Sequence, residues 1–291
     1  MVKLVDTDIK TREVTHWKGL HLLNFSDSSC SQKTRIALNL KKIQWTSHSI
    51  NLGLQENYSP WFLGINPRGL VPVLVHDGAV HIESNDILTY LDNTFKDRPL
   101  IPEDKRDYIK KYLLLEDQLH MDLRTLTMRF LVPKTAAKKS PKKLLTYQEN
   151  QGTVSGRKDP QKEVELKFWR AFERNGITDT QVIESFNKFR TVYHTLDASL
   201  EGNQYLSGDQ PTLMDIAWFI YTDRLSDAGY PFSSLHPRIH TWYRHLNSRV
   251  DFSKEVKSNI AITLVSKVLK MSQVLRKRTL ADITKTKTNH S

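Results

Sequence analysis

The 291-residue sequence predicts an α/β region followed by an all-α region, and two observations support this prediction. Before Phe95, short β-branched runs alternate with turn signals and with stretches whose apolar residues recur at helical spacing. A proline-bearing linker at 96–104 then leads into a remainder in which helical periodicity dominates. A chain of this length can form two domains, each with its own hydrophobic core.

The first predicted strand is the apolar run 20–25, and an amphipathic helix follows it. Between them lie Ser28, Ser29 and Cys30, so that hydroxyls and the only thiol of the chain cluster where a strand meets a helix. Unpaired N–H groups at a helix N-terminus favour negative charge. This position favours the thiolate form of Cys30, or it could hold the thiolate of a bound thiol. On local spacing alone, a helix cap and a small buried cysteine are commoner.

Residues 70–82 predict a strand and a hairpin that begin at a proline. The β-branched run 73–75 predicts a strand, and the Asp-Gly pair at 77–78 predicts a tight hairpin. Pro72 at the first position of the strand costs no ladder hydrogen bond, and cis bonds occur at such places. A cis bond would turn the N–H and C=O of Val71 outward, where an extended ligand backbone could pair with them.

Glu83 and Ser84 open the next predicted helix, whose apolar face is formed by Ile87, Leu88 and Leu91. A serine hydroxyl and unpaired amides at the start of a helix form a binding site for a carboxylate. This segment therefore adds a second predicted anion site to the Ser-Ser-Cys loop.

Taken in this order, these motifs resemble the glutathione-binding half of cytosolic glutathione transferases over residues 20–95. The string Ser-Ser-Cys-Ser at 28–31 is similar to the zeta class. The longer string 28–35 also resembles the tetrachlorohydroquinone reductive dehalogenases. The string 65–78 resembles bacterial β-etherases, which cleave lignin-type aryl ethers with glutathione.

The resemblance implies an N-terminal thioredoxin-like domain followed by a C-terminal helical-bundle domain. It implies glutathione as co-substrate, with Val71 pairing with its cysteinyl backbone beside a cis Pro72. Glu83 and Ser84 would bind the γ-glutamyl end. A homodimer is also implied.

The resemblance leaves the reacting group open. Ser28 or Ser29 could donate a hydrogen bond to the thiol of glutathione, whose thiolate then attacks a small hydrophobic electrophile. Cys30 could instead attack a glutathionyl group and form a mixed disulfide, which is the chemistry of thiol transfer and reductive dehalogenation. We favour the serine route, because a lone cysteine is so often structural. Arg35 matches an arginine in both groups of relatives, and its role is open between surface, dimer and other contacts.

We therefore expect a glutathione transferase-type enzyme that conjugates glutathione to a small hydrophobic electrophile or removes it. One alternative is a Cys-dependent thiol transferase, reductive dehalogenase or lyase. Isomerisation of the maleylacetoacetate type would use the same pocket. A non-catalytic binding module with this fold is the alternative from a different class, because fold alone does not imply function.

The composition is that of a cytoplasmic globular protein, with 38% hydrophobic and 26% charged residues. One cysteine excludes an internal disulfide framework, which is typical of a reducing compartment. We expect no transmembrane segment, because no apolar run reaches the ~18 residues that cross a bilayer, and the N-terminus lacks a signal-peptide core. No group of histidines, cysteines and acids has zinc-ligand spacing, so no metal site is expected.

The net charge of +11 comes largely from two basic clusters, at 134–143 and 267–287. Both lack interleaved aromatic residues and any nucleic-acid motif, so they predict solvated surface and no specific nucleic-acid partner.

For the apolar side of the tail helix at 254–275, packing on the helical domain is the favoured interpretation, and a membrane-surface helix is the alternative. Thr212 and Asp215 resemble a capping box, which predicts a structural role for Asp215.

The predicted organisation has an N-terminal extension, two domains and a tail. The extension is 1–17, the thioredoxin-like domain is 18–96, and the helical domain is 104–265. A mobile basic surface insertion is expected near 133–161, and the basic tail is 266–291.

Overall fold

The computed structural model describes residues 2–257 and 260–285, and the chain divides into two compact units. The first unit comprises Met1–Arg98 and Lys138–Asn175, and the second comprises Pro99–Ala137 and Gly176–Ser291. Residues 258–259 of the predicted tail helix and residues 286–291 of the predicted basic tail lie outside the described residues. The first unit is α/β and the second is all-α, which confirms the predicted fold class.

The first unit is built on a four-stranded mixed sheet. Its strands are β1 (Leu20–Asn24), β2 (Thr46–Ser49), β3 (Val73–His76) and β4 (Ala79–His81), in the spatial order β2-β1-β3-β4. Strand β1 is parallel to β2 and antiparallel to β3, and β3 is antiparallel to β4.

Fifteen α-helices lie within the described residues, and five of them, α1, α2, α3, α7 and α8, belong to the first unit. In chain order the helices are α1 (Ser29–Leu40), α2 (Pro60–Leu63), α3 (Ser84–Thr94), α4 (Arg106–Gln118), α5 (His120–Phe130), α6 (Lys134–Ala137), α7 (Pro141–Glu149), α8 (Gln161–Asn175), α9 (Asp179–Ser199), α10 (Leu213–Asp227), α11 (Phe232–Leu235), α12 (Pro237–Ser248), α13 (Val250–Val256), α14 (Ile260–Leu275) and α15 (Leu280–Lys285).

Both faces of the two central strands, β1 and β3, are buried, as the alternation of side chains along a strand allows. Leu22 and Leu74 pack on one face in a cluster with Ile87 of α3. Leu23 and Val73, their neighbours along the strands, belong to a second cluster. The candidate site residues are therefore attached to strands that are fixed from both sides.

The N-terminal extension lies along β4, the strand at the edge of the sheet. The N–H of Leu4 donates to the carbonyl of Val80 (2.9 Å), and the N–H of Ile82 donates to the carbonyl of Val2 (3.2 Å). These bonds satisfy backbone groups that an edge strand would otherwise expose. The extension is thus an added edge segment of the sheet.

The basic insertion departs from the sequence expectation. Its residues from 138 onwards belong to the first unit, where Tyr147 is fully buried and stacks on Tyr58 with ring centroids 4.6 Å apart. Asp8 of the N-terminal extension accepts hydrogen bonds from Thr153 Oγ1 (2.6 Å) and from the N–H of Ser155 (2.8 Å). The expectation of a mobile surface segment in the helical domain rested on its basic, polar composition. A few aromatic and turn residues instead attach it to the first unit.

Helix α10 is the most buried helix of the second unit, and Asp215 supports its start. The Asp215 carboxylate accepts hydrogen bonds from the N–H of Thr212, the N–H of Leu206 and Trp242 Nε1, each at 2.9 Å. Burial raises the pKa of Asp215, and these donors oppose the shift. The structural role predicted for Asp215 is confirmed.

Helix α14 does not pack as the favoured interpretation expected. Six of its apolar side chains between Leu264 and Leu275 are exposed, and its polar side contacts other helices of the second unit. None of the helices within residues 2–257 and 260–285 combines the length and apolarity that a bilayer crossing requires.

We expect His81 to make the stability of the protein pH-dependent. Its side chain is buried beside the extension and stacks on Tyr90 (3.9 Å between centroids). Among residues 2–257 and 260–285, neither ring nitrogen of His81 has a hydrogen-bond partner. Burial, followed by the charges of Lys3 and His76, lowers the pKa of His81 from 6.5 to about 4. Between these two values the unfolded chain binds a proton that the folded chain does not, so stability falls as the pH falls.

In urea unfolding titrations at several pH values, His81→Phe should reduce the loss of unfolding free energy between pH 6.5 and about 4. The same substitution at exposed His16 is the control and should leave the wild-type slope unchanged. An identical slope for His81→Phe and wild type would contradict this account.

Candidate functional site

The register of the sheet brings the sequence-predicted site residues to one edge. Leu23 pairs with Val73, so the residues just before Val73 lie beside the loop that leaves β1. Leu74 pairs with His81, and the antiparallel continuation of this register places Glu83 beside Pro72. The loop after β1, the start of β3 and the end of β4 therefore meet. Ser28, Ser29, Cys30, Val71, Pro72, Glu83 and Ser84 all lie on these three segments.

The serine and cysteine side chains occupy the start of α1. Ser28 is the N-cap, and its Oγ accepts a hydrogen bond from the N–H of Ser31 (3.3 Å). A hydroxyl that accepts through its oxygen retains a hydrogen with which to donate. Ser29 and Cys30 follow in the first turn, and Cys30 is half-buried and not in a disulfide. The start of α1 thus combines a hydroxyl that can donate, a thiol and the amides of a helix N-terminus.

Arg35 holds the loop that presents Ser28. Arg35 is buried, and its guanidinium donates to Asn24 Oδ1 (3.0 Å) and to the carbonyls of Phe25 (3.2 Å) and Ser26 (2.9 Å). These hydrogen bonds fix the backbone of the loop between β1 and α1. The role left open by the sequence is therefore one of positioning within the subunit.

The start of β3 has the backbone geometry that the sequence predicted. The Val71–Pro72 peptide bond is cis. Lys33 of α1 is buried, and its Nζ donates to Asn85 Oδ1 of α3 (2.8 Å), which joins the two helix starts on this edge. Ser84 is the first residue of α3 and is also buried.

Glu83 stands at the start of α3 in a backbone conformation that L-residues rarely adopt. Its φ is 68° and its ψ is 116°. Such conformations cost of order 1–3 kcal/mol and persist where the surroundings hold them. Arg68 provides one such restraint, because its Nη1 bonds the Glu83 carboxylate.

Arg68 is bound on its other side by the inserted segment. Its Nε donates to Asp159 Oδ2 (2.5 Å) and its Nη2 to Asp159 Oδ1 (3.1 Å), a bidentate pair in which both side chains are largely buried. Burial acts to lower the pKa of Arg68, but Asp159 and Glu83 together raise it. Asp159, Arg68 and Glu83 therefore form one charged network that ends at a predicted ligand-binding residue.

The backbone of this turn is also fixed by the insertion. The Tyr147 hydroxyl donates to the carbonyl of Arg68 (2.8 Å), and Asn57 Nδ2 donates to the carbonyl of Gly69 (2.7 Å). Gly69 has a φ of +62°, and a Cβ there would lie 3.1 Å from the Tyr58 ring and 3.2 Å from the Tyr147 ring. A side chain at this position would be strained in its backbone conformation and crowded by both rings, which favours glycine.

Sequence reasoning missed Asp159 and Tyr147. Asp159 lies 91 positions from its partner in a polar stretch, and nothing in the local sequence distinguishes it. Tyr147 carries a signal that could have been used, because it is the only aromatic residue between Phe130 and Phe168. An isolated aromatic side chain in a basic segment indicates an anchoring contact.

The part of the chain that the structure describes contains no candidate metal site. No group of three or more histidine, cysteine, aspartate or glutamate side chains there could hold a metal ion. The chemistry available at the sheet edge is that of hydroxyls, one thiol, backbone amides and charged side chains.

Two family models match the chain. The model described as "Glutathione S-transferase, N-terminal domain" matches residues 27–94, and that described as "Glutathione S-transferase, C-terminal domain" matches residues 162–249. The first match contains all seven site residues. Together the two matched segments span just over half of the chain.

Relatives of two kinds match the chain. Glutathione S-transferase 1 of Dianthus caryophyllus is 42% identical over 85 residues, which is 29% of this chain and 38% of that protein. A probable maleylacetoacetate isomerase of Caenorhabditis elegans is 40% identical over 32% of this chain and 44% of its own length. These matches thus span less than half of either relative.

A longer match links the chain to protein LigF of Sphingobium sp., with 27% identity over 79% of this chain and 90% of LigF. The crystal structure of β-etherase LigF superimposes with a TM-score of 0.69 and 26% identity, covering 81% of this chain and 98% of that one. The two family models, the sheet edge and these relatives agree. The chain belongs to the cytosolic glutathione S-transferase superfamily.

Proposed function

We propose that this protein is a glutathione-dependent enzyme in which Ser28 activates the thiol of glutathione for attack on a small hydrophobic electrophile. The observation that carries the proposal is the meeting of the α1 start, the Val71–Pro72 bond and the α3 start at one sheet edge. Long-range similarity to a protein named β-etherase, and local similarity to an isomerase, favour bond cleavage or isomerisation over simple conjugation.

Each part of the edge suits one part of glutathione. The backbone N–H and C=O of Val71 form hydrogen bonds with the backbone of the cysteinyl residue, which pairs with the sheet as an added β-strand does. The Ser84 hydroxyl and the first amides of α3 bind the γ-glutamyl carboxylate. The Glu83 carboxylate, held by Arg68, binds the γ-glutamyl ammonium. This arrangement directs the thiol towards α1.

Ser28 then favours the ionised thiol. Its hydroxyl donates to the sulfur, and the N-terminus of α1 adds a favourable field. Lowering a thiol pKa by about two units corresponds to about 2.7 kcal/mol, which these two effects together can supply. The proton released from the thiol passes to solvent.

The thiolate attacks an electrophilic carbon of the second substrate. In an ether substrate, a carbon–sulfur bond forms as the carbon–oxygen bond breaks, and the departing oxygen keeps the electron pair and takes up a proton. In an isomerisation, the thiolate adds to the substrate and leaves again after rotation about the carbon–carbon bond. Both reactions need the same activated glutathione, so the sheet edge serves either.

One observation favours a second candidate function. Cys30 is half-buried in the first turn of α1, two positions after Ser28. A thiolate there could attack a glutathionyl sulfur and release the other thiol, forming a mixed disulfide. By analogy with the family, we also propose a cytoplasmic homodimer.

Substitutions at Ser28 and Cys30 distinguish the two routes. Because Ser28→Ala removes a hydrogen bond to a charged sulfur, it should raise the pKa of bound glutathione by roughly one to two units and lower kcat about 10- to 100-fold. Ultraviolet absorbance of the thiolate, titrated against pH, measures the first effect, and turnover of a model aryl ether measures the second. Cys30→Ser is the matched comparison.

Loss of turnover in Cys30→Ser but not in Ser28→Ala would assign the chemistry to Cys30. Glutathione binding without turnover of any aryl ether, haloarene or cis-enone would instead indicate a binding module.

Asp159→Asn should weaken glutathione binding. The substitution keeps the shape of the side chain but removes the charge that holds Arg68, and therefore loosens Glu83. We expect the Kd for glutathione to rise about 5- to 10-fold, roughly 1–1.4 kcal/mol, as measured by calorimetry. Glu149→Gln, at an exposed position of the same insertion, is the control. Equal affinities of wild type and Asp159→Asn would contradict a role for the insertion.

A further inference from the structure

Helix α14 presents an apolar face to solvent. Six of its side chains are between 48% and 80% exposed, namely Leu264, Val265, Val268, Met271, Val274 and Leu275. Successive residues of an α-helix are rotated by about 100°, so these six lie on one side of the helix. A continuous exposed apolar face on a helix marks an interaction surface.

The helix is attached to the second unit by its other side. Gln273 Nε2 donates to the carbonyl of Phe130 (3.0 Å), and Lys270 Nζ pairs with Asp227 (3.5 Å). Gln273 lies opposite Leu264 and Met271 on the helical wheel. These polar contacts turn the apolar face away from the unit to which the helix belongs.

Positive charge accompanies the apolar face. Residues 260–278 contain five basic side chains and no acidic one. Lys270 and Arg278 pair with aspartates of the second unit, at 3.5 and 3.1 Å. Lys267 lies on the apolar side itself, between Leu264 and Met271 along the helix. Arg276 and Lys277 follow the end of the helix, and all three basic side chains are exposed.

An exposed apolar face together with an acid-free basic sequence favours an anionic lipid surface over a second copy of the chain. A second copy of the chain would bring two basic segments together over one apolar face, and like charges oppose such contacts. An anionic bilayer surface accepts both features, because apolar side chains enter the headgroup boundary while lysines and arginines face the lipid phosphates and carboxylates. With 16 residues, the helix suits an orientation in the plane of the surface.

We propose that α14 is a membrane-surface helix that attaches this protein reversibly to anionic lipid. Val268 and Met271 lie near the centre of the buried face, and Lys267, Arg276 and Lys277 supply the electrostatic attraction. The attachment is independent of the glutathione site and of the reaction proposed there.

Vesicle co-sedimentation of the full chain tests the proposal. Vesicles of phosphatidylcholine with phosphatidylserine should bind the protein, and vesicles of phosphatidylcholine alone should bind at least 10-fold less. Raising the salt concentration should weaken binding, because the attraction is partly electrostatic. The double variant Val268→Asp, Met271→Asp should lose at least 10-fold in partition coefficient. Val250→Asp, at a 75% exposed position of the same unit, is the control and should bind as wild type does.

The proposal is overturned if wild type does not sediment with anionic vesicles, or if the double variant binds as well as Val250→Asp. It is also overturned if wild type does not bind vesicles and sediments as a larger species than the double variant does. That result would assign the face to a second copy. Because both substituted residues are exposed, unfolding midpoints equal to wild type should accompany the loss of binding.

Discussion

The bidentate ion pair between Arg68 and Asp159 is the interaction on which the proposed glutathione site depends. Arg68 stands in the turn before the cis Val71–Pro72 bond, and its Nη1 bonds Glu83 at the start of α3. Asp159 approaches the same guanidinium from the inserted segment. One side chain therefore connects the start of β3, the start of α3 and a segment far along the chain. Buried arginine–carboxylate pairs of this geometry are directional, so the pair fixes orientation as well as charge.

The N-terminal extension and the insertion both strengthen the first unit. Asp8 links them, because its carboxylate accepts from Thr153 and from the backbone of Ser155 while the extension itself pairs with β4. Tyr147 adds an apolar anchor against Tyr58 and a hydrogen bond to the Arg68 carbonyl. The extension thus covers the edge of the sheet, and the insertion packs against the turn that contains Arg68. We infer that these additions keep the proposed glutathione-binding edge rigid.

The parts of the fold that local sequence determines could be predicted. The strand before Ser28, the hairpin and the Thr212–Asp215 capping box each follow from residue types within a few positions of one another. The cis bond before Pro72 is implied by the family resemblance. Asp159 could not be found in this way, because a single acidic residue in a polar segment does not indicate its partner. Helix α14 illustrates a related limit. Its periodicity predicts an apolar face, but only three-dimensional contacts such as Gln273 with Phe130 decide which face points outward.

Hydrogen–deuterium exchange with and without glutathione tests most directly whether the insertion is part of the glutathione site. Glutathione should slow amide exchange at residues 66–84, which contain its proposed contacts Val71 and Ser84. Through Arg68, it should also slow exchange at residues 147–160, which lie outside the proposed ligand contacts. Slowing at both segments is the result we predict. Slowing at 66–84 with unchanged exchange at 147–160 would show that the insertion and the site are not coupled, and would contradict the account.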